Sequence, residues 1–291
     1  MKSRRVCMNT GKLKLGVVGN GFVGGAVVNG FRTKECEVLV YDKDKYRSEN
    51  TLDEVLECDF VFVCLPTPMT SALGGPVDLS IITSFFEDVV NNNQFNPTYI
   101  IKSTVPVGTT ENINRLHEDI KVVHNPEFLT AINSIKDFKN PDRTVVGGTK
   151  PIIDDVSFLY EEFFPEAPVI KMSSGESELV KYAANCFLAT KVMYFNLIHK
   201  ICESKDLDYN NVSEGVIADR RIGKSHYEVP GPDGDFGFGG TCFPKDINGL
   251  IEILYSCNVD STILKEVWRM NKTLRENWDW ADSPSAVSSI E

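Results

Sequence analysis

Leu13-Lys14-Leu15-Gly16-Val17-Val18-Gly19-Asn20-Gly21-Phe22-Val23-Gly24 is the stretch that decides the fold. Its apolar first half reads as a buried strand, and after the glycines Ala26, Val27, Val28 and Phe31 continue with helical spacing. Glycines in the order G-x-G-x-x-G between a strand and a helix have separate tasks. The first makes the tight turn, the second lets backbone approach a pyrophosphate, and the third allows close helix–sheet packing, with the phosphates facing the helix N-terminus. Gly19, Asn20, Gly21, Phe22, Val23 and Gly24 are therefore the predicted cofactor loop. A second strand, 37–41, ends at Asp42. A carboxylate there suits a ribose 2′-hydroxyl and repels a 2′-phosphate, which favours NAD over NADP.

Outward from this unit, strands are predicted over 59–65, 99–102, 121–123, 144–146 and 169–172, with helices over 79–90, 109–117 and 152–164. Strands alternating with helices argue for an α/β fold, a Rossmann-like, doubly wound parallel sheet over residues 12–172. Ligands of such sheets sit at the carboxyl ends of the strands. Pro66-Thr67-Pro68, Ser103-Thr104-Val105-Pro106 and Asn125-Pro126-Glu127 fall at such ends, which makes Thr67, Thr104 and Glu127 candidate site residues.

From residue 173 the pattern turns helical. A long helix is predicted over 174–205, capped by Ser174 with Ser177 and Glu178 in its first turn. It would span roughly 48 Å, a length that suits joining domains or building a dimer interface. Lys181 and Asn185 are one turn apart on it and share a face. Further helices are expected over 210–218 and 261–280. The predicted layout is a tail over 1–11, the sheet domain, an all-α domain over 173–280, and a polar tail over 281–291 expected to fray.

Inside the helical half, Gly237-Phe238-Gly239-Gly240-Thr241-Cys242-Phe243-Pro244-Lys245-Asp246 brings backbone close to a cysteine. Pro244 and the apolar residues after it predict a helix start, so Cys242 lies where the macrodipole favours a thiolate. Lys245 adds positive charge, and Asp246 is one turn on, able to hold a water or a proton. The turn-rich 227–235 leads into this stretch and could close over a substrate.

The chain has 291 residues and a formal net charge of −11, which argues against general nucleic-acid binding. Its eight cysteines lack CxxC spacing, favouring reduced thiols over disulfides or a zinc site, and no metal is expected. Neither a signal-peptide core nor a membrane-length apolar run is present, so a cytoplasmic protein is expected.

The stretch 237–246 closely resembles the active-site segment of the UDP-glucose/GDP-mannose 6-dehydrogenase family. Leu65-Pro66-Thr67-Pro68 resembles its cofactor loop, Lys102-Ser103-Thr104-Val105-Pro106 its loop with a catalytic threonine, and Asn125-Pro126-Glu127-Phe128-Leu129 the segment with its catalytic glutamate. Glu178-Leu179-Val180-Lys181-Tyr182-Ala183-Ala184-Asn185 resembles its lysine–asparagine helix. The resemblance implies NAD as cofactor, a sugar nucleotide (UDP-glucose foremost) as substrate and a homodimer through 174–205. It also implies a four-electron oxidation of a C6 hydroxyl to a carboxylate. Cys242, Lys181, Asn185, Asp246, Glu127 and Thr104 would be catalytic. Arg47, Thr67, Thr104 and Lys245 would join Asp42 and the glycine loop at the cofactor. Glu127, Phe128, Leu129, Lys181, Asn185, Arg221, Phe238 and Gly239 would hold substrate, Arg221 reaching that of the partner. Two departures stand out. Ala131 occupies the place of a second glutamate usual in the family, and the family's third, nucleotide-binding domain is expected to be lacking. Two other readings stay open: a two-electron β-hydroxyacid dehydrogenase, which would leave Cys242 idle, and an NAD-binding protein without activity of its own.

Overall fold

The computed structural model describes residues 12–92, 95–130 and 132–288. The predicted N-terminal tail and the Ala131 departure lie outside the described residues. Packing divides the chain into two compact units. The first comprises the chain up to Pro66 and Leu79–Lys181, the second Thr67–Asp78 and the chain from Tyr182 onward.

The first unit alternates as predicted. It runs β1 (Leu13–Val18), α1 (Phe22–Phe31), β2 (Cys36–Tyr41), α2 (Leu52–Leu56), β3 (Phe60–Val63), α3 (Ser80–Asn92), β4 (Thr98–Ile101), α4 (Thr109–Leu116), β5 (Lys121–His124), α5 (Ser134–Lys139), β6 (Thr144–Gly147), α6 (Ile152–Phe163) and β7 (Val169–Met172). The seven strands form one sheet in the order β2-β1-β3-β4-β5-β6-β7. Side chains of β3 and β4 alternate between two cores. Phe60, Phe62 and Ile100 join Phe31, Phe138 and Tyr160 on one face, while Val61, Val63, Tyr99 and Ile101 join Ile82 and Phe86 on the other. Burial on both faces explains why these strands read as unbroken apolar runs.

Two strands, β6 and β7, depart from the parallel expectation. β5 and β6 are antiparallel, meeting at His124 and Gly147, and β7 is parallel to β6. The segment between β5 and β6 therefore stays at the carboxyl edge instead of crossing over the sheet. Its short helix α5 carries Phe138 into the core beside Phe31, with ring centroids 5.7 Å apart.

Helix α7 (Ser174–Lys205) occupies the predicted span. Its cap is Ser173, not Ser174: Ser173 Oγ accepts from Glu176 N at 3.3 Å, and the Glu176 carboxylate accepts from Ser173 N at 2.7 Å. By packing, α7 belongs to the first unit through Lys181.

The second unit contains the rest of α7, then α8 (Tyr209–Ile217), α9 (Phe243–Ser256) and α10 (Thr262–Leu274). Thr67–Asp78 joins it because Met69 is fully buried among Ile247, Trp268 and Trp280. α10 ends six residues before the predicted 280. Arg275 turns extended (φ −79°, ψ 129°) and its buried guanidinium reaches Asp233 at 2.6 Å and Asp279 at 3.2 Å. The C-terminal segment expected to fray is packed through Ser288. Ala286 and Val287 are buried, Met69 N donates to Ala286 O at 2.8 Å, and Ser288 N donates to Met69 O at 2.9 Å. Two small apolar side chains find cover there, which a polar average over the segment hides.

Candidate active site

In the first unit, Gly19 has φ +90°, and a Cβ on it would lie 2.6 Å from Cys64 O. A Cβ on Gly24 would lie 1.8 Å from Gly19 O, whereas Gly21 has nothing within 4 Å. Steric need thus accounts for Gly19 and Gly24, and open space lies over Gly21. No side chain caps α1 at Gly21, so its first amides are available to an anion. Asp42 accepts from Asn20 N at 2.6 Å and from Asp44 N at 2.8 Å, which fixes the carboxylate against the loop. Arg47 is exposed, its guanidinium 3.6 Å from Asp44 and its carbonyl accepting from Asn20 Nδ2. These residues fit a dinucleotide.

At the carboxyl edge, Glu127 is buried. Its carboxylate takes Lys181 Nζ at 2.8 Å and Leu129 N at 2.7 Å, and its carbonyl takes Lys181 Nζ at 2.7 Å. Burial pushes its pKa up, but the Lys181 charge and these hydrogen bonds outweigh it and leave the carboxyl below its usual range. Phe128 lies under two cations, Arg143 at 4.1 Å and Lys181 at 5.6 Å from the ring centroid. Thr104 is buried in the loop after β4. A neutral imidazole steadies that loop: burial lowers the His124 pKa to about 3, its Nε2–H donates to Ser103 O at 3.3 Å, and Nδ1 accepts from Ser177 Oγ at 2.9 Å. Glu178 accepts from Gly108 N at 2.6 Å and Thr110 N at 2.8 Å.

A cavity of about 240 Å³ opens beside Glu127, lined among others by Lys102, Asn125, Phe128, Arg143 and Tyr160. Neither Lys102 nor Asn125 stands out in the sequence. Lys102 looks like the polar end of an apolar strand, although a lysine ending so apolar a run as Tyr99-Ile100-Ile101 was the available signal.

In the second unit, Cys242 is the residue before α9 and is half-buried, its carbonyl accepting from Asp246 N at 2.9 Å. Pro244 stands in the first turn as predicted. Asp246 is buried, paired with Lys245 on one carboxylate oxygen and accepting from Asn185 Nδ2 at 2.6 Å on the other. Thr67 is also buried in this unit. The backbone at 237–240 is tied to its neighbours. Gly237 N donates to Asn196 Oδ1 at 3.1 Å, Phe238 N to Asn271 Oδ1 at 2.7 Å, and Gly240 N to Asp279 Oδ2 at 2.9 Å. Phe238 is a core side chain stacked on Trp268, and Gly239 lies so close to Arg275 that a Cβ would meet its guanidinium at 2.1 Å. Packing explains both of these predicted substrate residues. Arg221 is exposed and folded back on Asp219 at 2.6 Å. Among the described residues, no helix is long and apolar enough to cross a membrane.

Comparison with known proteins gives a consistent picture. The NAD binding domain of the UDP-glucose/GDP-mannose dehydrogenase family matches residues 46–164, and that family's central domain matches 175–273. The UDP-glucose 6-dehydrogenase of Rickettsia bellii (strain RML369-C) is 36% identical over 244 residues, covering 81% of this chain and 54% of that protein. The Rattus norvegicus UDP-glucose 6-dehydrogenase is 32% identical over 241 residues, covering 78% and 48%. A solved UDP-glucose dehydrogenase from the hyperthermophilic archaeon Pyrobaculum islandicum superposes with a TM-score of 0.80 at 28% identity, covering 91% of this chain and 69% of that one. The chain spans about half the length of the curated relatives it matches.

Proposed function

The chain belongs to the UDP-glucose/GDP-mannose dehydrogenase family, and from that premise we propose that it oxidises the C6 hydroxyl of a sugar nucleotide, UDP-glucose foremost, to the uronate. The observation that carries this reading is Cys242 at the start of α9, with Asp246, Lys245 and Asn185 bound together in the same unit. Bound NAD supplies the hydride acceptor, one molecule for each of two oxidations. The chain's own residues do the rest. Lys181 and Asn185 steady the alcohol oxygen as it loses its proton, with Asp246 holding the water that accepts it. The Cys242 thiolate then adds to the resulting aldehyde carbon, giving a tetrahedral thiohemiacetal. Without that addition the aldehyde has no geometry from which to give up a second hydride. Loss of that hydride and the hydroxyl proton leaves a thioester. A water deprotonated by Glu127 and placed by Thr104 and Asp246 attacks it, the C–S bond breaks, and carboxylate and thiol are released. Two hydrides leave in all, and one water is consumed.

The apolar side chains Phe187, Tyr194 and Ile201 recur at heptad spacing on α7 and are more than half exposed. They support a homodimer through that helix. Among the described residues no cysteine forms a disulfide, which supports a reducing, cytoplasmic setting.

The deciding measurement is NADH formed per UDP-glucose consumed. We expect two, with Cys242→Ser abolishing uronate formation. One NADH per substrate, unchanged by Cys242→Ser, would replace this reading with a two-electron dehydrogenase. NAD binding without turnover would leave a protein with no activity of its own.

A further inference from the structure

Lys102 has an unusual setting for a residue outside the proposed chemistry. It is 3% exposed and donates to Asn125 Oδ1 at 2.9 Å, with Pro126 O at 3.5 Å. Both acceptors are uncharged, and both belong to the two residues immediately before Glu127. Asn125 is itself a junction. Its Oδ1 also accepts from Tyr160 Oη of α6, and its Nδ2 donates to Val145 O of β6 at 2.6 Å. The turn that presents Glu127 is thus tied to the end of β4, to α6 and to β6.

A buried ammonium held only by neutral oxygens is costly. The rings of Phe138 and Tyr160, at 5.6 and 5.9 Å, offset part of that cost. So does the field of the Glu127 carboxylate, which shares the cavity wall with Lys102. Glu127 therefore feels two lysine charges, that of Lys181 in direct contact and that of Lys102, which is bonded to the turn carrying Glu127.

We propose that Lys102 is a positioning residue for Glu127: it fixes the Asn125–Pro126 turn and, together with Lys181, sets how tightly the carboxylate holds a proton. This rests on the reading of Glu127 as the base that activates water. The titratable groups facing Lys102 are Cys64 after β3, His124 on β5, Glu127 after β5, Tyr160 on α6 and Lys181 on α7. Burial pushes the Cys64 thiol up to about 12 and the Tyr160 hydroxyl well above its usual range, so both stay neutral. Burial draws Lys102 itself down to about 8. As pH rises through that value Lys102 loses its charge, Glu127 keeps only Lys181, and the carboxylate becomes a stronger base.

The test does not require turnover. In protein labelled with 13C at the glutamate carboxyls, the resonance missing from Glu127→Gln identifies Glu127. Its titration midpoint should rise by about half a pH unit or more in Lys102→Met and stay in place in Lys102→Arg. By linkage, the 13Cε resonance of Lys102 should titrate lower in Glu127→Gln, a near-isosteric variant that keeps the test alive if Lys102→Met does not fold. A Glu127 midpoint unmoved in folded Lys102→Met, or a Lys102 midpoint unmoved in Glu127→Gln, would overturn the coupling. If the coupling holds but wild type forms no uronate, the functional reading fails and the electrostatic pairing stands. If both hold, the hydrolytic step in Lys102→Arg should lose the change in rate that wild type shows near pH 8.

Discussion

Gly19, Gly21 and Gly24 show how one residue type can be required for different reasons. A Cβ at Gly24 meets Gly19 O at 1.8 Å, so Gly24→Ala must spread helix from loop. We expect it to cost at least about 2 kcal/mol in urea denaturation. Nothing lies within 4 Å of the Cβ position at Gly21. Gly21→Ala should therefore leave stability within about 0.5 kcal/mol of wild type, yet weaken NAD binding tenfold or more by calorimetry. Equal effects of the two substitutions on stability would contradict this division of labour. The glycine loop and Asp42 were legible because their requirement is local, written in a few consecutive residues. Asn125 and Lys102 were not, since their significance arises from partners on β6 and α6 that no spacing along the chain announces.

Helix α7 was read from periodicity to within a residue at either end, because thirty-two residues of helical pattern average out local noise. What periodicity could not supply is the work of its first turns. Ser177 holds His124, Glu178 caps α4, and Lys181 holds Glu127, so these turns fasten the loops after β4 and β5. Glu178→Ala strips one buried and one partly buried amide of their acceptor and should cost about 2–3 kcal/mol in chemical denaturation. Burial raises the Glu178 pKa above its ordinary value despite those hydrogen bonds. The fold therefore prefers its protonated form, and its contribution is fully present below the ordinary glutamate range and declines as pH rises through the raised value. The stability of wild type relative to Glu178→Gln should accordingly be greatest at the acid end and shrink toward neutrality. A difference that grows with pH would show that the carboxylate is favoured instead.

At the scale of the whole molecule, the chain is divided into units that are not contiguous in sequence, since Thr67–Asp78 leaves the sheet unit to pack with the helices. All three tryptophans, Trp268, Trp278 and Trp280, lie in the second unit, and Trp280 is fully buried with its Nε1 donating to Ala72 O at 3.0 Å. Trp280→Ala should destabilise that unit by about 3–5 kcal/mol. Unfolding followed by tryptophan fluorescence should shift accordingly, while the NAD affinity carried by the glycine loop stays near wild type. A loss of NAD affinity equal to that of Gly21→Ala would show that the segment 67–78 transmits the damage. The sequence by itself determined the alternation of strands and helices, the glycine turn and the start of α9 at Cys242, because periodicity, turn chemistry and capping act over a few neighbouring residues. The tertiary structure decided the reversed direction of β6 and β7, the covering of the C-terminal segment, the pinning of the loop before Cys242 by Arg275 and Asn271, and the lysine behind Glu127. Each of these depends on which distant groups burial forces to satisfy one another, and that is settled only when the chain is packed.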